Sequence, residues 1–126
     1  MYQDIEHTAI AAQNTSVLCA WYCQTFGFNV VYDNKKSPPT FFIKLGAGLI
    51  ELIPANDKTR VVRENADPGM SHFAIRVNDF DGVLVDLAKK GVTVSGIREA
   101  GGGVKVGFIT DPEGNLFQVI YRPNPL

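Results

Sequence analysis

The chain contains two histidines, His7 and His72, and each begins a short motif of the form His-x-Ala-Ile. Glu51 lies inside the apolar run 49–53, where burying an unpaired carboxylate costs on the order of several kcal/mol. A divalent cation bound by the two imidazoles and this carboxylate offsets that cost, and such ligands suit Zn, Ni, Co, Mn or Fe(II). The alternatives are that Arg76 or a lysine pairs with Glu51, or that Glu51 lies at a solvated rim.

These residues occupy equivalent positions of an internal repeat, whose copies are offset by about 65 residues. The matching pairs are His7 and His72, Gly27 and Gly91, and Glu51 and Gln118. We therefore predict a single domain, 1–126, made of module 1 at about 1–55, a polar linker at about 54–70 and module 2 at about 70–126.

Each copy reads as a strand, a helix and three further strands, which predicts an α+β fold of two βαβββ modules in tandem. In the first copy we expect strands at 4–10, about 28–33, 40–46 and 48–53, with a helix between Asn14 and Gly27. In the second copy the helix lies between Asp79 and Gly91, and the later strands are expected at about 92–97, 104–110 and 115–121.

Strand side chains alternate between the two faces of a sheet. In each copy this places one histidine of the first strand and one acid or amide of the last strand on one face. The residues concerned are His7 and Glu51 in the first copy, and His72 and Gln118 in the second. The opposite, more apolar face is expected to pack on the helix of that copy.

Composition excludes several classes of function. The chain has 126 residues, is 45% hydrophobic and carries a net charge of −1, with no basic stripe for a nucleic acid. Its apolar runs are shorter than the roughly 18 residues that a membrane span needs, and no signal peptide is visible, so we expect a cytoplasmic protein. Cys19 and Cys23 are expected to be two reduced, half-buried thiols, because their spacing is not that of a redox pair.

The sequence resembles the vicinal oxygen chelate superfamily, the group of glyoxalases, bleomycin-resistance proteins and extradiol dioxygenases. The similarity spans essentially the whole chain. Four motifs carry it: the opening Ile-x-His-x-Ala-Ile, Phe26-Gly27-Phe28, His72-Phe73-Ala74-Ile75, and the closing segment 111–118, which contains Asp-Pro-Glu-Gly-Asn and ends at Gln118. The resemblance implies modules whose sheets curl around a cup, a homodimer, and a divalent metal held by His7, Glu51, His72 and Gln118.

Among these relatives the pattern is most similar to glyoxalase I-like proteins, which implies a metal-dependent lyase or isomerase. The expected substrate is a small 2-oxo compound or its thiol adduct, converted through an enediolate. Gln118 is an amide and cannot act as a base, so Glu51 is predicted to be both ligand and catalytic proton shuttle. Alanines stand at 9, 11 and 12, where glutathione-dependent relatives usually carry an arginine, so glutathione itself is not expected.

The resemblance leaves other functions open. One is a non-catalytic, bleomycin-resistance-type protein that binds a drug or other ligand without a metal, in an apolar cleft at a dimer interface. Aromatic side chains that would help to line such a cleft are Trp21, Tyr22, Phe41 and Phe42, although the helical spacing of Trp21 favours a position in the core. An epimerase or a dioxygenase of the same superfamily is a further alternative, although Gln118 stands where those enzymes carry a glutamate.

Overall fold

The computed structural model describes all 126 residues, which divide into two compact units, Met1–Arg60 and Val61–Leu126. The first unit contains β1 (Thr8–Ala12), α1 (Thr15–Phe26), β2 (Asn29–Asp33), β3 (Phe41–Leu45) and β4 (Gly48–Pro54). The second contains β5 (Phe73–Val77), α2 (Phe80–Lys89), β6 (Ser95–Glu99), β7 (Lys105–Thr110) and β8 (Leu116–Tyr121). The predicted α+β order of two tandem βαβββ modules is therefore confirmed.

Each unit has one four-stranded mixed sheet, with strand order β1-β4-β3-β2 in the first and β5-β8-β7-β6 in the second. The first and last strands of each module pair in parallel, and the remaining pairs are antiparallel. This topology makes Ala9 the register partner of Glu51, and Ala74 the register partner of Gln118. The strands that carry Glu51 and Gln118 are thus direct neighbours of the strands that follow His7 and His72.

Two strands differ from their predicted ranges by more than one residue at an end. The first strand was expected at 4–10 but covers Thr8–Ala12, where it pairs with Ile50–Pro54 of β4. The strand expected at 92–97 covers Ser95–Glu99, and its pairing with β7 shifts register between Ser95 and Arg98. The chain after α2 therefore runs unpaired for longer than the pattern of apolar residues suggests.

The helices begin and end where their capping residues stand. Asn14 accepts a hydrogen bond from the Val17 amide at 3.0 Å, and Asp79 accepts one from the Gly82 amide at 3.0 Å. Gly27 has φ +78°, the left-handed conformation that lets the chain leave α1 towards β2. Neither helix is long and apolar enough to cross a lipid bilayer.

The apolar side of each sheet is covered by the helix of the same unit. In the first unit α1 packs on β3 and β4, and the side chains of Leu18, Tyr22 and Leu52 are completely buried. In the second unit α2 contacts β8, with Leu87 and Phe117 buried. Each such side chain contributes about 1.5–3 kcal/mol to folding. The helices thereby hold one sheet face, which leaves the other for the candidate site residues.

Candidate functional site

In the first unit, the imidazole of His7 and the carboxylate of Glu51 lie side by side. The distance from His7 Nε2 to Glu51 Oε1 is 3.8 Å. His7 directly precedes β1, two residues before Ala9, which is opposite Glu51 in β4, so both side chains lie on the same sheet face. Their side chains are 36% and 24% exposed, so that solvent or a ligand reaches both groups.

Glu51 is less enclosed than its sequence neighbours suggest. Ile50 and Leu52 are buried, but they point to the opposite face of β4, towards the helix. Leu49 and Ile53, which share the face of Glu51, are only half-buried. The predicted burial of this carboxylate is therefore overestimated, and the basic group within 4 Å of it is His7.

The other ring nitrogen of His7, Nδ1, also has a carboxylate partner. Nδ1–H donates to the carboxylate of Glu6, and the ring meets Phe42 edge to face, with centroids 5.5 Å apart. The pKa of His7 is raised above its ordinary value of 6.5, mainly by the Glu6 hydrogen bond. Burial lowers the pKa of His7, whereas the charges of Glu6 and Glu51 raise it. Glu6 thus fixes the ring and leaves Nε2 directed towards Glu51.

In the second unit, His72 is held by neutral groups. Its Nδ1 atom lies 2.7 Å from Ser71 Oγ and 2.9 Å from Asn65 Oδ1. Its ring meets Phe108 edge to face, with centroids 5.4 Å apart. Because an amide oxygen only accepts hydrogen bonds, the contact with Asn65 Oδ1 requires a proton on Nδ1, which would leave the lone pair on Nε2.

Gln118 repeats the position of Glu51 in the second unit. It lies in β8 between its register partners Ala74 and Phe108, and the residue is 8% exposed. His72 stands two residues before Ala74, so His72 and Gln118 share one sheet face. The arrangement of histidine, phenylalanine, and acid or amide is therefore the same in the two units.

The closing motif of the chain builds the turn that leads into Gln118. Buried Asp111 accepts hydrogen bonds through Oδ1 from the amides of Glu113 and Asn115, at 2.9 and 3.0 Å. Its Oδ2 accepts one from Asn115 Nδ2 at 2.8 Å. The motif is thus structural, since it fixes the β7–β8 connection and with it the register of β8.

Sequence reasoning did not identify Glu6, Asn65, Ser71, Phe42 or Phe108 as neighbours of the two histidines. For the phenylalanines a signal exists, because they occupy equivalent positions of the two copies. Neither unit alone contains a group of three or more His, Cys, Asp or Glu side chains that could hold a metal ion. The first unit offers an acid and an imidazole, and the second an imidazole and an amide.

Comparison with known proteins identifies the family. The family model of the Glyoxalase/Bleomycin resistance protein/Dioxygenase superfamily matches residues 4–119. The chain belongs to this superfamily. The resemblance inferred from the motifs is thereby confirmed, while no curated protein is significantly similar to the chain.

Solved structures of other proteins share the fold over nearly their whole length. A glyoxalase family protein from Enterococcus faecalis is 25% identical in sequence, with a TM-score of 0.76. The superposition covers 94% of this chain and 98% of that chain. A lactoylglutathione lyase from Agrobacterium tumefaciens is 23% identical, with a TM-score of 0.74 and coverages of 95% and 94%. The fosfomycin resistance protein FosX from Listeria monocytogenes is 15% identical, with a TM-score of 0.75 and coverages of 97% and 95%.

The aromatic side chains expected to line a drug-binding cleft of this superfamily do not form one group. Tyr22 is completely buried, so it belongs to the core of the first unit. Trp21 packs edge to face on Tyr22 and Phe26, with centroids 5.0 and 5.6 Å apart. Phe42 instead lies against His7, on the face that carries Glu51. The expectation that Tyr22 lines such a cleft is therefore wrong.

Proposed function

We propose that the protein is a metal-dependent, glyoxalase I-like lyase or isomerase. Its proposed substrate is a small 2-oxo compound or the adduct of such a compound with a thiol. The observation that carries this proposal is the pair formed by His7 Nε2 and Glu51 Oε1, 3.8 Å apart, with Nδ1 of the same imidazole bonded to a second carboxylate. Histidines that bind metals are commonly oriented by a carboxylate on their other nitrogen.

The spacing of this pair fits two ligands of one cation. Nitrogen and oxygen ligands lie roughly 2.0–2.2 Å from ions such as Zn²⁺. Two such ligands at angles between 90° and 180° are therefore separated by about 2.8–4.4 Å. The observed 3.8 Å lies within that interval, whereas a direct hydrogen bond between the two atoms would be shorter. His72 supports the same interpretation, because the contact of its Nδ1 with Asn65 Oδ1 favours a proton there and a lone pair on Nε2.

We propose that His7, Glu51, His72 and Gln118 are the ligands of a single divalent ion. Two neutral imidazoles, one carboxylate and one amide oxygen form a donor set suited to Zn, Ni, Co, Mn or Fe(II). Such an ion, when bound, supplies the Lewis acidity that stabilises the enediolate of the substrate. The active form is expected to be a homodimer, because members of the superfamily often form dimers.

The chain itself supplies the proton transfer. The reaction moves a proton from one substrate carbon to the adjacent carbon, while the hydroxyl proton passes between the two neighbouring oxygens, so it needs a base and no redox partner. Glu51 takes the proton from the first carbon and returns it to the second, whereas the amide of Gln118 cannot accept it. His7 Nε2 lies 3.8 Å from Glu51 Oε1, and both side chains are on the partly exposed face of the sheet. Glu51 is therefore the proposed catalytic residue.

The experiment measures metal content and turnover together. Purified protein is loaded with Zn²⁺, Ni²⁺, Co²⁺, Mn²⁺ or Fe²⁺ and assayed with methylglyoxal and a panel of small thiols. We expect Glu51→Gln to lose about 100-fold or more in rate while its circular dichroism is unchanged. The matched control is Glu99→Gln, which makes the same change on the exposed strand β6.

Full activity of Glu51→Gln would exclude its role as proton shuttle. Failure of the wild-type protein to retain any of the five ions would contradict the metal-dependent function as a whole. Tight binding of bleomycin by such metal-free protein would instead favour the non-catalytic alternative. Turnover of an epimerase or extradiol dioxygenase substrate, without thiol-adduct isomerisation, would replace the proposed reaction by another of the same superfamily.

A further inference from the structure

The segment that precedes β5 is organised around one arginine. The guanidinium group of Arg63 donates hydrogen bonds to the carbonyl oxygens of Asp67, Pro68 and Met70, at 2.8, 2.6 and 2.6 Å. A tight turn closes the same loop, because the Asp67 amide donates to the Glu64 carbonyl at 3.1 Å. In the sequence this stretch reads as a polar linker, but in the structure it forms a hydrogen-bonded loop that ends at His72.

This loop presents one side chain to the imidazole of His72. Asn65 stands inside the turn between Glu64 and Asp67, and its Oδ1 accepts hydrogen bonds from the Ser71 hydroxyl and from His72 Nδ1. Ser71 Oγ contacts the same ring nitrogen at 2.7 Å. The Ser71 hydroxyl donates its proton to Asn65 Oδ1, so both oxygens are left as acceptors for a proton on Nδ1.

We propose that Asn65 and Ser71 are positioning residues for His72, which keep its ring in the Nδ1–H tautomer with the lone pair on Nε2. The linker therefore does more than join two modules, because its side chains keep the lone pair of His72 on Nε2, the proposed ligand atom. The tautomer itself is a property of the metal-free protein. Its consequence for metal affinity rests on the proposed function, since it requires Nε2 of His72 to be a ligand. Groups that orient a ligating histidine commonly change metal affinity by about 10- to 100-fold.

The first test reads the tautomer directly. Nitrogen-15 NMR of the metal-free, full-length protein, at a pH where His72 is neutral, distinguishes protonated Nδ1 from protonated Nε2. We expect Nδ1–H to predominate in the wild-type protein and to lose its predominance in Asn65→Ala. Asn65→Asp, which keeps an acceptor oxygen at the same place, is expected to retain it. His7 serves as an internal reference, because its Nδ1 partner is Glu6.

Metal affinity is measured in the same variants by calorimetry with Co²⁺ and Zn²⁺. We expect Asn65→Ala to weaken metal binding by about 10- to 100-fold, and we expect Ser71→Ala to weaken it as well. The matched control is Asn56→Ala, which removes the same side chain from a residue bonded only to the Lys58 amide at 3.0 Å. If Asn65→Ala fails to fold, Ser71→Ala and the tautomer of the wild-type protein still decide the question.

The outcomes separate this inference from the proposed function. A wild-type protein with the Nε2–H tautomer, or an Nδ1–H tautomer that persists in both Asn65→Ala and Ser71→Ala, would overturn the positioning role. If the tautomer responds as expected but the wild-type protein binds neither ion, the positioning role stands and the metal-dependent function fails. If metal binds and the variants change neither tautomer nor affinity, only the positioning role fails.

Discussion

The Nε2 atom of His7 lies 3.8 Å from Oε1 of Glu51, although the two residues belong to the opposite ends of the first module. Their proximity follows from the topology, because the first and last strands of that module pair in parallel and place Ala9 opposite Glu51. The second module repeats this pairing, with Ala74 opposite Gln118. A duplicated unit therefore presents one imidazole and one oxygen donor twice.

The hydrogen bond from His7 to Glu6 predicts a measurable titration. The pKa of His7 is raised above 6.5, and the Glu6 hydrogen bond is its main cause. A raised pKa means that the contact favours the protonated ring. Its contribution to stability is therefore complete below pH 6.5 and is lost as the pH rises through the raised value. We expect proton NMR of the metal-free protein to give a His7 midpoint above 6.5, which falls in Glu6→Gln.

The control for this titration is Glu99→Gln, which removes the same charge from β6. It is expected to leave the His7 midpoint where it is in the wild-type protein. A wild-type midpoint at or below 6.5, or one that Glu6→Gln does not move, would show that the Glu6 contact does not form in solution.

Asp111 is predicted to stabilise the fold without acting in catalysis. Replacing it by alanine leaves the amides of Glu113 and Asn115 without their acceptor in a buried turn. We expect Asp111→Ala to lower the free energy of unfolding by about 1–3 kcal/mol, measured by urea denaturation. Asp57→Ala, at an exposed position, serves as the matched control and is expected to change it by less than about 0.5 kcal/mol. Equal stabilities of the two variants would refute this role.

Gly107 in β7 is predicted to be required because there is no room for a side chain. A Cβ atom at this position would lie 2.5 Å from Val94 Cγ1. We expect Gly107→Ala to cost about 1–3 kcal/mol of stability, as overpacked cores do. Val94→Ala removes the clashing methyl group, so the double variant is expected to lose less than the sum of the two single losses. Strict additivity in thermal or urea unfolding would contradict this explanation.

The two cysteines are predicted to differ in reactivity. Burial, with help from Cys23, raises the pKa of Cys19 to about 12, and its side chain is almost completely enclosed. Cys23 is half-buried, and both thiols are free. At pH 8 we expect a thiol reagent to label one cysteine of the native protein and two in denaturant. Cys23→Ser is expected to abolish native labelling, whereas rapid labelling of that variant would show that Cys19 is accessible.

The sequence predicts the shared face of the site residues but not the groups that orient them. Strand alternation and the repeat place His7 with Glu51, and His72 with Gln118, because both depend only on register. The contact of Glu6 depends on where β1 begins, and that of Asn65 depends on a loop folded around Arg63. Neither is encoded in a periodic pattern. The burial of Glu51 was overestimated because Ile50 and Leu52, its immediate neighbours, face the helix.

The central claim is that the four predicted ligands hold one cation. Crystals of the protein soaked with Co²⁺ and measured at the cobalt absorption edge locate that ion directly by anomalous scattering. We expect one strong peak per site, at about 2.0–2.2 Å from the nitrogen and oxygen donors of His7, Glu51, His72 and Gln118. The absence of a peak at these residues, or a peak bound only to other side chains, would contradict it.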